Sequence, residues 1–155
     1  MRKNISAQDL QIDLEGANEK GLFKWLLASF LMGKRIQSEI AAQAYRVIVD
    51  QYQRDSPGKL AKTTQRELVA MLGEAHYVRY DETTAARLLA LAARLSAEYE
   101  GKVLNMVSAS ADRQDFERRL TAFEGIGPKT VEIFMREAAR VFSKKLLCTP
   151  LRKKS

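Results

Sequence analysis

Apolar residues recur at helical spacing along nearly the whole chain. Leu22, Phe23, Leu26, Leu27, Phe30 and Leu31 fall at i, i+1, i+4, i+5, i+8 and i+9, the stripe of a core-facing helix. Gly33-Lys34-Arg35 interrupts that stripe, and Ile36, Ile40, Ala44, Val47 and Ile48 carry a second helix. Thr64-Gln65-Arg66-Glu67 has the form of a capping box and opens a third, with Leu68 and Leu72 on its inner face. Asp81 is the expected cap of a fourth, which bears Ala85, Leu88, Leu89, Ala92, Leu95 and Tyr99. Asp112 is the expected cap of a fifth, with Phe116, Leu120 and Phe123, and Pro128 starts a last one with Val131, Phe134, Met135, Ala138, Val141 and Phe142.

Between these, Asp55-Ser56-Pro57-Gly58 reads as a short connection. Gly101–Ala111 fits either a short helix or a buried loop. No segment alternates as a strand does. The pattern predicts an all-α domain of about six main helices over residues 18–142, preceded by an N-terminal segment, 1–17, and followed by a basic tail, 143–155.

Composition narrows the picture. A chain of 155 residues with 46% apolar content has enough material for one well-packed core. No apolar run reaches the ~18 residues of a membrane span, and the first residues lack a signal-like apolar stretch, so a cytoplasmic protein with no membrane partner is expected. The single cysteine, Cys148, and the single histidine, His76, exclude a Cys/His zinc site or a four-thiolate cluster held within this chain. No metal or cofactor is expected.

The net charge is +7, and five of those charges belong to residues 143–155, which contain no acid. A basic tail binds polyanions by counterion release, or is simply a solvated terminus; charge alone does not choose.

The most specific stretch is Phe123-Glu124-Gly125-Ile126-Gly127-Pro128-Lys129-Thr130. Two glycines flank one apolar residue where one helix ends and the next begins. Gly125 and Gly127 permit torsions and close approach that a Cβ obstructs, and Ile126 turns inward to pin the turn. Pro128 suits the first helical position. The amides near Gly127, Lys129 and Thr130 then face outward at a helix N-terminus, where the dipole and Lys129 favour a phosphate oxygen. The plainer reading is a tight turn between packed helices. A P-loop is excluded, because Pro128 separates Gly127 from Lys129 and a helix, not a strand, precedes the glycines.

Gly125-Ile126-Gly127-Pro128-Lys129-Thr130 resembles the helix-hairpin-helix element of the endonuclease III and DNA glycosylase superfamily. The similarity extends over roughly residues 20–142, through Leu26-Leu27-Ala28-Ser29 and the segment Tyr77–Leu89. It implies an endonuclease III-like helical barrel that binds double-stranded DNA, damaged or abasic, in base-excision repair. It also implies DNA-binding roles for Gly125, Ile126, Gly127, Lys129 and Thr130. Lys129 falls where bifunctional members carry a Schiff-base nucleophile, so it is read either as a catalytic amine or as a phosphate-binding lysine.

The aspartate that catalytic members place a little under twenty residues further on is missing. Lys145-Leu146-Leu147-Cys148-Thr149 stands there, and Glu132 and Glu137 are at the wrong spacing. The iron–sulfur loop is missing as well. DNA binding is therefore expected ahead of glycosylase or lyase activity, with a helical protein-interaction module as the remaining alternative.

The family's base-wedging turn corresponds to Phe30–Gln37. Here Lys34 and Arg35 are placed to meet phosphate, and Gln37 or Met32 to press on the base stack. His76-Tyr77 and Arg79-Tyr80 read as stacking groups or as packing, and Trp25 as half-exposed or as closing the barrel.

Overall fold

The computed structural model describes residues 5–142. Among these, the chain forms eight α-helices and no strand, joined by short 3-10 and π-helical turns. The helices are α1 (Glu19–Met32), α2 (Ser38–Tyr45), α3 (Pro57–Ala61), α4 (Gln65–Glu74), α5 (Asp81–Tyr99), α6 (Val103–Ala109), α7 (Arg113–Thr121) and α8 (Pro128–Ala138). No helix among the described residues is long and apolar enough to cross a membrane.

The first apolar stripe becomes the centre of the molecule. Leu22, Phe23, Leu26, Leu27, Phe30 and Leu31 are all buried, and α1 packs against α2, α6 and α8. Burial also extends to α1's other faces. Trp25 is fully buried, and its indole Nε1 donates to the Phe134 carbonyl oxygen of α8 at 3.1 Å. Trp25 is thus not half-exposed, one of the two readings of it from the sequence. A bulky indole is stable there because its single polar atom has found an acceptor.

A local side-chain cap starts four of the eight helices, α1, α3, α4 and α7. Thr64 and Glu67 form the expected capping box, with Glu67 N donating to Thr64 Oγ1 at 3.1 Å and Thr64 N to Glu67 Oε1 at 2.9 Å. Asp112 caps α7 by accepting from the Asp115 amide at 2.9 Å. The fourth expected helix differs in detail. Asp81 is its first helical residue, and Tyr80, with a φ of +64°, occupies the cap position without a side-chain bond. The Thr84 amide already reaches the Tyr80 carbonyl at 2.8 Å, so the helix begins one residue before Asp81 can cap it.

Two short helices alter the sequence picture. Asp55-Ser56-Pro57-Gly58, read as a connection, leads into α3, where Ser56 Oγ accepts from the Lys59 amide at 3.2 Å and Pro57 takes the first position. Gly101–Ala111 resolves as the helical alternative, α6. Its N-terminus is capped from a distance: Glu19 of α1 accepts the Val103 amide at 2.6 Å and the Leu104 amide at 2.9 Å.

The second stripe forms α2 and then a π-helical turn over Arg46–Gln51, with Ala44, Val47 and Ile48 buried. The segment ahead of α1 joins the same core. Ala7, Leu10, Ile12 and Leu14 are buried, and the Ala7 amide donates to Glu137 Oε2 at 2.9 Å. The tail, 143–155, with Cys148, lies outside the described residues.

Candidate functional site

The stretch 123–130 links α7 to α8 in a turn held mainly by backbone bonds. The Phe123 amide donates to the Leu120 carbonyl and the Ile126 amide to the Phe123 carbonyl, each at 3.1 Å. Gly125 has a φ of +94°, a region that side chains avoid. Ile126 is 4% exposed and turned into the core. Gly127 precedes Pro128 as the cap residue of α8, and no side chain caps that helix end.

Other elements fix the shape of this turn. Lys34, on the turn between α1 and α2, donates from Nζ to the Gly125 carbonyl at 2.9 Å and lies 4.7 Å from the centre of the Phe30 ring. A Cβ on Gly125 would stand 2.9 Å from Phe30 ring carbons and 3.0 Å from Arg87 Cδ of α5. A Cβ on Gly33 would overlap the Thr130 hydroxyl, so Thr130 packs directly on the end of α1. From the other flank, Arg94 of α5 donates to the Ala122 carbonyl at 2.7 Å and covers the Phe123 ring at 4.6 Å.

The result is an open groove of about 450 Å³ bounded by Gly33 and Lys34 on one side and by the α7–α8 turn through Thr130 on the other. Of the sequence candidates, Gly125, Ile126, Gly127, Lys129, Thr130 and Lys34 all come together here. Lys129 is exposed on the first turn of α8. Thr130 is only 2% exposed, so its side chain serves the packing against Gly33. Arg35 and Gln37 are exposed on the turn after Lys34 but do not line the groove.

Lys34 is not a free surface cation. Burial first, and the nearby Arg87 charge second, hold its pKa below the usual lysine range. Arg87 and Arg94 had no motif to announce them. They sit on α5 and become relevant only because the fold brings that helix under the turn.

The acids that follow Lys129 are directed elsewhere. Glu132 lines a separate shallow groove with Arg113, Glu117 and Met135, while Glu137 accepts from the Ala7 amide and from Arg140. No family model, curated protein or solved structure matches the chain. The groove offers backbone amides at a helix start, the cations Lys34 and Lys129, and Glu124 as the acid of its lining.

The turn 76–80 lies beside the same end of α1. Tyr77 is buried and donates to the Leu31 carbonyl at 3.0 Å, and burial pushes its phenol up to about 12. That is packing. Val78 and Tyr80 instead stand exposed, with the Arg79 guanidinium 5.2 Å from the Tyr80 ring centre.

Proposed function

We propose that this protein binds double-stranded DNA through its phosphate backbone, with the α7–α8 turn acting as a helix-hairpin-helix element on an endonuclease III-like scaffold, in a DNA-repair setting. The observation that carries the reading is the start of α8, uncapped by any side chain and open to a groove with Lys129 exposed at its edge. Amides at a helix start and an adjacent ammonium suit a phosphate oxygen, and such contacts position a duplex without reading its sequence. Arg35 and Gln37 stand exposed on the turn after Lys34, and the basic residues of 143–155 would add affinity for a polyanion by counterion release. Binding is favoured over chemistry at Lys129, since neither Glu132 nor Glu137 lines the groove.

Fluorescence anisotropy with a labelled duplex, intact or carrying one abasic site, tests this. Lys129→Ala is expected to weaken binding roughly 5–10-fold on every sequence and to reduce the salt slope by about 0.9. A chain lacking residues 143–155 is expected to bind still, more weakly. Loss of all binding with that tail, together with no effect of Lys129→Ala, would overturn the reading and leave the hairpin as a plain turn.

A further inference from the structure

Lys34 and Lys129 both line the groove, but their ammonium groups are engaged differently. Lys34 Nζ donates to the Gly125 carbonyl at 2.9 Å and stands 4.7 Å from the centre of the Phe30 ring. Lys34 is half-buried. Lys129 is exposed, and its side chain has no hydrogen bond or ion pair among the described residues. The backbone groups of the turn are divided as well. The carbonyls of Phe123, Gly125 and Gly127 are each taken, by the Ile126 amide, by Lys34 and by the Val131 amide. The amides of Gly127, Lys129 and Thr130 make no hydrogen bond among the described residues.

We infer that Lys34 is a positioning residue of the α7–α8 turn: it fixes the Gly125 peptide and covers its carbonyl, and does not itself hold a phosphate. The inference rests on the backbone-binding reading above. It deepens that reading by giving the two lysines of the groove separate tasks, one holding the turn and the other meeting the ligand.

The physical argument begins with the backbone. Gly125, at a φ of +94°, has no side chain of its own to restrain it, and a glycine samples more torsions than any other residue. Its peptide is therefore set from outside. A bond from an ammonium to a carbonyl is charge-assisted and stronger than a neutral one, so a single lysine reaching across from the end of α1 suffices. The same bond has an electrostatic effect. An uncovered carbonyl oxygen beside open amides repels an anion, and the ammonium on it removes that repulsion.

Transfer of Lys34 to the ligand is disfavoured for the same reason. It would strip a part-buried carbonyl of its partner, and an unmade bond costs more than a formed one contributes. Lys129 gives up no protein contact when it meets a phosphate. The lowered pKa of Lys34, caused first by burial, agrees with an ammonium held partly out of bulk water.

Two measurements on the full chain test this. Lys34→Met keeps most of the stem and removes the donor, whereas Lys34→Arg keeps a donor for Gly125. In the free protein, Lys34→Met is expected to shift the amide resonances within 124–130, and Lys34→Arg to return them toward wild type. With a labelled duplex, Lys34→Met is expected to weaken binding about 5–10-fold and Lys34→Arg to regain most of it. The salt slope is expected to fall by less than half of the roughly 0.9 lost in Lys129→Ala, because no phosphate contact is removed. Unmoved resonances in Lys34→Met, or a slope loss equal to that of Lys129→Ala, would overturn the inference and leave backbone binding standing. Shifted resonances in a protein whose wild type binds no duplex would keep Lys34 as the residue that sets the turn and remove the DNA reading. Unmoved resonances together with no duplex binding would end both.

Discussion

Gly125 and Gly127 are separated by one residue, yet the turn uses them differently. Gly125 combines a left-handed φ with a wall formed by Phe30 and Arg87, whereas a Cβ on Gly127 meets no atom within 4 Å. Gly125→Ala is accordingly expected to cost about 2–4 kcal/mol, from backbone strain plus overpacking. Gly127→Ala is expected to stay within about 0.5 kcal/mol of wild type. Urea unfolding followed by Trp25, the only tryptophan, measures both, because its buried indole becomes solvent-exposed on unfolding. The two glycines are indistinguishable in the sequence, where they are simply a repeated pair. What separates them is a ring on a helix more than ninety residues earlier.

At the scale of elements, the legible features are those whose cause lies within one turn. The stripe of α1, the Thr64–Glu67 capping box and the Asp112 cap depend on residues three or four apart, and they appear as expected. The α6 helix stayed ambiguous because its cap, Glu19, is 84 residues from Val103. Lys34 suffers the same difficulty. As a sequence it is an exposed cation in a Gly-Lys-Arg break, but the fold directs its amine to a carbonyl 91 residues away. Tyr80 shows a smaller failure, since its left-handed backbone, and not the nearby aspartate, starts α5. The remote cap makes its own prediction. Glu19→Gln replaces a carboxylate that accepts two amides by a group with one acceptor oxygen. It is expected to cost about 1–2 kcal/mol, with faster amide hydrogen exchange concentrated in 103–109.

Across the whole molecule, acid sensitivity is set in part by Asp55, which ties the start of α1 to α3. Burial raises its pKa, but Lys59 at 3.2 Å and Lys20 at 3.3 Å more than offset that and leave it lowered. A carboxylate with a depressed pKa contributes its stability above the ordinary aspartate value of about 3.9 and loses it as pH falls through the folded value. Thermal melts between about pH 5 and about pH 2.5 are expected to show a falling midpoint, and Asp55→Asn a shallower fall. The dependence of the α7–α8 turn on α1 has a different consequence, for modularity. Its shape is imposed by Phe30, Gly33 and Lys34 at the end of α1 and by Arg87 and Arg94 of α5. Residues 112–142 cut out as a peptide, or transplanted between two helices of another scaffold, would carry the glycines but not the mould that sets them. The motif is not a portable cassette; its smallest transferable unit includes the end of α1 and the middle of α5.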